Sequence, residues 1–224
     1  IILKPAEQSS LTAIRIAALA STAGVPDGVF NVVPGLGEQA GKAIGLHQDI
    51  DGVYFTGSTA VGKLFMQYAG QSNLKRVGLE CGGKSAHIIL ADCQHIDEAA
   101  EAAGFGIFFN QGEMCTAGSR LIVDAAIKDQ VLEKLQRFAQ NMQPGDPLNS
   151  STRLGAMVNH EHTQRVMDYI RIGQTEADLL IGGQQQQVVS GGCYIEPTIF
   201  HNVDNQTRIA QEEIFGPVLS VITV

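Results

Sequence analysis

A chain of 224 residues with a formal net charge of -8 is long enough to bury a sizeable core, and it lacks the clustered Lys and Arg that a nucleic-acid partner demands. No apolar run reaches the roughly 18 to 20 residues of a membrane span and no basic-then-apolar leader opens the chain, so no membrane association is expected and the setting reads as cytoplasmic. Four irregularly spaced cysteines, Cys81, Cys93, Cys115 and Cys193, fit a reducing compartment better than a disulfide framework.

In chain order, Ile1 to Lys4 reads as a strand. Ser9-Ser10 then caps a helix to about Thr22, with Leu11, Ile14 and Ala18 spaced to form a buried face. A strand at Val29 to Val33 follows, then Pro34-Gly35-Leu36-Gly37 and a short helix through Ala43. Val53 to Phe55 is a third strand, Thr56 to Thr59 its turn and Ala60 to Ala69 a third helix. Such alternation predicts an α/β fold with parallel sheets and flanking crossover helices.

The pattern restarts with strands at Arg76 to Leu79 and Ser85 to Leu90, broken by Gly82-Gly83, where the domain boundary is placed: 1–82 and 83–224. A helix over Ile96 to Phe109, a strand at Leu121 to Val123 and a helix over Ile127 to Asn141 come next. A turn at Pro144 to Pro147, a polar helix near Glu161 to Gly173, and strands at Leu179 to Ile181 and Thr198 to Phe200 follow. Gln184 to Gln187 reads as a solvated loop. The chain opens on apolar Ile1-Ile2-Leu3 and closes on apolar Val218 to Val224, two buried-strand patterns, so a fragment of a longer protein is expected.

Four stretches carry potential chemistry. Cys115 lies between Gly112 and Gly118 on a helix-to-loop turn; glycines let a backbone bend and a ligand approach, which makes this thiol a candidate nucleophile against the alternative of a packing cysteine. Glu80 ends the apolar stretch Val77-Gly78-Leu79. Desolvation there would raise its pKa toward that of a general base, whereas a salt bridge to Lys84 or Lys75 would make it structural. Phe55 to Gly62 joins a strand to a helix through glycines, suited either to a phosphate at a helix N-terminus or to an ordinary tight turn. Lys4 and Glu7 follow a parallel strand, where such sheets bind ligands, and a Glu there can accept both hydroxyls of a ribose. No metal site is expected: the only close histidine pair is His160-Glu161-His162.

Together, Leu3-Lys4-Pro5-Ala6-Glu7, Phe55-Thr56-Gly57-Ser58-Thr59, Leu79-Glu80-Cys81-Gly82-Gly83-Lys84, Phe109 to Cys115 and Glu212 to Pro217 closely resemble the NAD(P)-dependent aldehyde dehydrogenase superfamily. Within it the chain is most similar to the γ-glutamyl-γ-aminobutyraldehyde dehydrogenases, through Gly24 to Val29 and Gln143-Pro144-Gly145. The resemblance implies that Cys115 attacks the aldehyde to give a thiohemiacetal and then a thioester, and that Glu80 activates the hydrolytic water. It implies that Lys4 and Glu7 hold the adenosine ribose, that Gly57 and Ser58 meet the pyrophosphate, and that Gly37, Gly41, Phe55, Val61 and Phe65 border the adenine. Glu213 and Phe215 would hold the nicotinamide ribose and ring. It further implies a Rossmann-type cofactor half ahead of the catalytic part, an aldehyde substrate of the amino or ω type, and a homo-oligomeric full-length form.

A carboxylate at Glu7 should repel a 2′-phosphate, so NAD is expected over NADP. Cys81 stands where many relatives carry Leu. The family's upstream Asn that helps hold the oxyanion has no counterpart here, and losing one such donor typically costs about two to three orders of magnitude in rate. Three alternatives stay open: a folded fragment that binds nucleotide weakly without catalysis; an acylating relative using coenzyme A, against which Glu80 argues; and a cofactor-free thiol esterase.

Overall fold

The short strand β1 (Ile2–Leu3) opens the computed structural model of this chain, which describes residues 1–189 and 191–224. Two units divide the described residues, Ile1–Cys81 and Gly82–Val224.

In the first unit β1 pairs in parallel with β2 (Asn31–Val32), and α1 (Ser10–Thr22) makes the crossover between them. A 3-10 turn over Glu7–Ser9 leads into α1, and Ser9 makes no side-chain cap bond. The expected buried face of α1 is not formed: Leu11, Ile14 and Ala18 are exposed and only Ala13 is buried. β1 is exposed as well, where burial was expected. The reason is areal, since a pair of two-residue strands cannot cover a helix of thirteen residues.

A single π-type turn, Gly37–Gly41, runs into α2 (Lys42–Leu46), three residues longer than the sequence suggested. β3 (Gly52–Gly57) and β4 (Arg76–Cys81) pair in parallel across α3 (Thr59–Gln71). β3 thus absorbs Thr56 and Gly57, which the sequence assigned to the turn, because both join the ladder opposite Glu80 and Cys81. Ser58 caps α3, its Oγ accepting the Val61 amide at 3.3 Å. Phe65 is buried with its ring 4.9 Å from that of Phe55 and 5.9 Å from that of Tyr68.

The second unit is built on one five-stranded sheet. β5 (Ala86–Ile89), β6 (Arg120–Val123), β10 (Thr198–His201) and β11 (Val218–Thr223) run parallel in the order β5-β6-β11-β10, and β7 (Asp178–Ile181) closes one edge antiparallel to β10. Period-two alternation divides the core between the two sheet faces. Leu219 and Val221 of β11 pack with α4 (Ile96–Phe108) and α5 (Lys128–Asn141), around Ala103, Ile107, Phe108, Val131 and Leu135. Val218 and Ile222 face the other way, onto Val166 and Ile170 of α6 (His160–Glu176) and Ile209 of the short α7 (Arg208–Gln211). The closing apolar stretch is therefore a buried strand, as its sequence indicated. Gln184 to Gln187 departs from expectation: Gln185–Gln186 forms β8, paired antiparallel with β9 (Tyr194–Ile195). Pairing across a loop lets a polar strand form without an apolar face of its own.

Candidate active site

Parallel pairing of β1 with β2 brings the segment after each strand together. Lys4 Nζ donates to Gly35 O at 2.9 Å, to Pro5 O at 2.7 Å and to Glu7 Oε1 at 3.2 Å. The same Oε1 accepts the Gly37 amide at 2.9 Å, and Gly41 lies against the Lys4 stem, where a Cβ would stand 3.7 Å from Cδ. Lys4, Glu7, Gly37 and Gly41, far apart in sequence, thus form one cluster. Glu7 is held below the usual carboxylate range by its own backbone hydrogen bond first and by Lys4 next, so it stands as an anion.

At the ends of β3 and β4 a second group assembles. Thr56 is in register with Glu80 and Gly57 with Cys81, so Gly57, Ser58 and Glu80 share the carboxyl end of this sheet, the end where α/β folds place ligands. Val61 projects partly exposed from the first turn of α3, while Phe55 and Phe65 stack beneath. Glu80 itself corrects an expectation: it is exposed at its strand end, not buried. The alternative of a salt bridge to Lys75 is not formed either. The Lys75 ammonium is spent on Gly45 O and Ser72 Oγ, each at 2.7 Å, and buried Lys84 Nζ has no hydrogen-bond partner among the described residues.

In the second unit Cys115 stands on the turn between α4 and β6. It is exposed, whereas Cys81 and Cys93 are half-buried and Cys193 is buried. The loop around it is built from strained backbone: Asn110 and Gln111 adopt φ of 49° and 58°, and Gly112 follows at 71°. Gly112 is obligatory here, because a Cβ would lie 2.2 Å from the Gly216 carbonyl oxygen. Gln111 Oε1 accepts the Gly155 amide at 3.0 Å and Glu113 Oε1 accepts that of Val158 at 3.1 Å.

Glu213 and Phe215 reach this loop from the turn before β11. Glu213 Oε1 accepts the Gly83 amide at 3.1 Å, and its carboxylate fills the space over Gly82, where a Cβ would sit 1.9 Å from Oε1. Phe215 has φ of 60°, and its carbonyl lies 2.6 Å from His162 Nε2, which therefore carries the proton and donates. The neighbouring Glu212 turns elsewhere, held down to about 2 by hydrogen bonds from Arg208 and then Tyr169. Gly83, Gly112, Met114, Ala117, Glu213 and Phe215 line one narrow recess.

Four contributing side chains had no role assigned from the sequence. Phe105, on the last turns of α4, and Phe109, just past its end, present an exposed aromatic pair with ring centroids 5.1 Å apart. Their i, i+4 spacing was a usable signal. Glu113 and His162 gave none, being brought together only by tertiary structure.

These features define an α/β protein whose exposed thiol stands on a clamped, strained loop beside a parallel sheet. The chain belongs to the aldehyde dehydrogenase family: the family model described as "Aldehyde dehydrogenase family" matches residues 1–224. It is 49% identical over 221 residues to the NADP/NAD-dependent aldehyde dehydrogenase PuuC of Escherichia coli, covering 99% of this chain and 44% of that protein. A solved structure, the γ-glutamyl-γ-aminobutyraldehyde dehydrogenase of Burkholderia cenocepacia, superposes with a TM-score of 0.97 at 56% identity, covering 100% of this chain and 45% of that one. An indole-3-acetaldehyde dehydrogenase solved with NAD+ superposes with a TM-score of 0.98 at 54% identity, over 100% and 45% of the two chains. The chain thus spans less than half the length of these relatives.

Proposed function

We propose that the protein carrying this chain oxidises an aldehyde to a carboxylic acid with NAD+, and that Cys115 is its nucleophile. The observation that carries the reading is the exposure of Cys115, the only one of the four thiols that is exposed, on a loop whose strained backbone is held by hydrogen bonds.

Attack of the Cys115 thiolate on the aldehyde carbonyl forms a C–S bond and a thiohemiacetal. NAD+, when bound, supplies the acceptor for the hydride that leaves this carbon. The resulting thioester is released when Glu80 takes a proton from a water that attacks the acyl carbon, returning the thiol and giving the acid.

The residues present fit the cofactor. Anionic Glu7, already carrying the Gly37 amide, offers a carboxylate to ribose hydroxyls and repels a 2′-phosphate, which supports NAD over NADP. Gly57 and Ser58, at the N-terminus of α3, suit a pyrophosphate, with Gly37, Gly41, Phe55, Val61 and Phe65 on the adenine side. Glu213 and Phe215 take the nicotinamide ribose and ring, and the Gly82-Gly83 backbone gives the Glu213 carboxylate its seat. Likeness to a protein named for γ-glutamyl-γ-aminobutyraldehyde supports an amino or ω-aldehyde as substrate.

The test is to trap the intermediate. A protein of the relatives' length is mixed with NAD+ and a γ-aminobutyraldehyde-type substrate, quenched in acid and mapped by mass spectrometry. An acyl group on the Cys115 peptide is the expected result; turnover with the acyl group on another residue would refute the assignment.

A further inference from the structure

The strained segments on either side of the recess are tied to one another through a half-buried carboxylate. Glu113, two residues before Cys115, keeps only 11% of its side chain exposed, and His162 keeps 14%. One oxygen, Oε1, makes both contacts: it accepts the Val158 amide at 3.1 Å and lies 3.6 Å from His162 Nε2. That Nε2 sits 2.6 Å from the carbonyl oxygen of Phe215, whose φ of 60° is unfavourable for an aromatic residue. Asn159 Oδ1 accepts the His162 amide at 2.8 Å and fixes the helix end from which the imidazole projects. From loop to turn, the chain of contacts runs Glu113, His162, Phe215 carbonyl, with the backbone of Gly112 against that of Gly216 alongside it.

Burying an acid is costly, and burial does push Glu113 above the usual carboxylate range. Packing alone would favour an apolar residue at this place. Strained backbone persists only where its surroundings over-determine it, and this carboxylate anchors one strained segment while it faces the imidazole that holds the other. We propose that Glu113 is a positioning residue: through Val158 and His162 it keeps the Cys115 loop in register with the turn that carries Glu213 and Phe215. This rests on the reading of Cys115 as nucleophile and of Glu213 as a cofactor ligand.

Full-length Glu113→Ala and Glu113→Gln enzymes test it. Glu113→Ala removes both contacts; Glu113→Gln keeps an amide oxygen for the Val158 N–H. Three readouts are compared: the alkylation rate of Cys115 by iodoacetamide, followed on its own peptide, kcat, and KM for NAD+. A hydrogen bond to a charged group contributes about one factor of ten or more. Glu113→Ala is therefore expected to change the alkylation rate about tenfold, lower kcat by at least that factor and raise KM for NAD+, while Glu113→Gln restores alkylation to within about twofold of the parent. A purely structural role would lower thermal stability without moving the alkylation rate of the folded protein. Parent-like values of all three readouts in Glu113→Ala overturn the proposal, and so does a Glu113→Gln enzyme no better than Glu113→Ala. Where Glu113→Ala does not fold, Glu113→Asp, which retracts the carboxylate by one methylene, carries the same comparison. Alkylation needs no turnover, so failure of this proposal is distinct from failure of the nucleophile reading, which the trapped acyl group and turnover of Cys115→Ala decide.

Discussion

In Gly112→Ala a single methyl group enters at a residue whose φ is 71°, facing the Gly216 carbonyl oxygen at 2.2 Å, its carbon at 2.4 Å and Pro217 N at 2.8 Å. All three neighbours are backbone, so no side chain can rotate away. Placing alanine in the left-handed region costs about 1 kcal/mol, and forcing an extra carbon into packed surroundings costs about 1 to 3 kcal/mol. A loss of about 3 kcal/mol in a chain of this size lowers the melting temperature by roughly 10 °C. Because the clash separates the Cys115 loop from the turn carrying Glu213 and Phe215, kcat should fall together with stability. Thermal unfolding followed by far-ultraviolet circular dichroism, beside a steady-state assay, gives both numbers. A variant melting within about 2 °C of the parent with unchanged kcat would refute the close approach of these two segments and the argument built on it.

Other expectations follow from single contacts. Gly82→Ala puts a methyl where the Glu213 carboxylate now sits, so Glu213 must leave the Gly83 amide; KM for NAD+ is expected to rise about tenfold or more, and an unchanged KM would remove Glu213 from the cofactor site. Lys84 is only partly exposed and its Nζ is fully buried; burial first, and then the positive charge of Arg120, bring its pKa down from 10.5 to about 8. That fall amounts to a penalty of about 3 kcal/mol on the ammonium form in the folded state. The penalty is complete below the folded value and fades as pH climbs toward the unfolded one. Lys84→Met should therefore raise unfolding free energy at pH 7 relative to the parent, with the gain shrinking between about pH 8 and pH 10.5; a pH-independent difference would contradict the burial. Glu80→Gln should leave a stoichiometric burst of NADH followed by slow thioester hydrolysis, and equal loss of both phases would take Glu80 out of the base role.

Much of the fold was legible because hydrophobic period tracks burial when an element has neighbours. β11 alternates between two helix layers, and its apolar residues revealed it at once. α1 shows the converse: its apolar spacing is real, but β1 and β2 are too short to cover it. β8 escaped detection because four consecutive glutamines carry no periodic signal, and only β9 opposite them makes the strand. The turn that carries Cys115 was legible through its flanking glycines, one of which is required by a backbone contact. Glu80 was placed correctly at a strand end, yet its burial was wrongly inferred, since the strand next to it covers only one side. Glu113 and His162 lie 49 positions apart in sequence, and no local pattern announces a carboxylate facing the imidazole that donates to the Phe215 carbonyl.

The most direct test of the whole account is steady-state turnover of Cys115→Ala in a protein of the relatives' length, followed as NADH formed from aldehyde and NAD+. Turnover should disappear while NAD+ binding, read by titration, stays near the parent value, because the substitution removes only an exposed thiol. Turnover that survives in Cys115→Ala would contradict the nucleophile assignment and the mechanism derived from it.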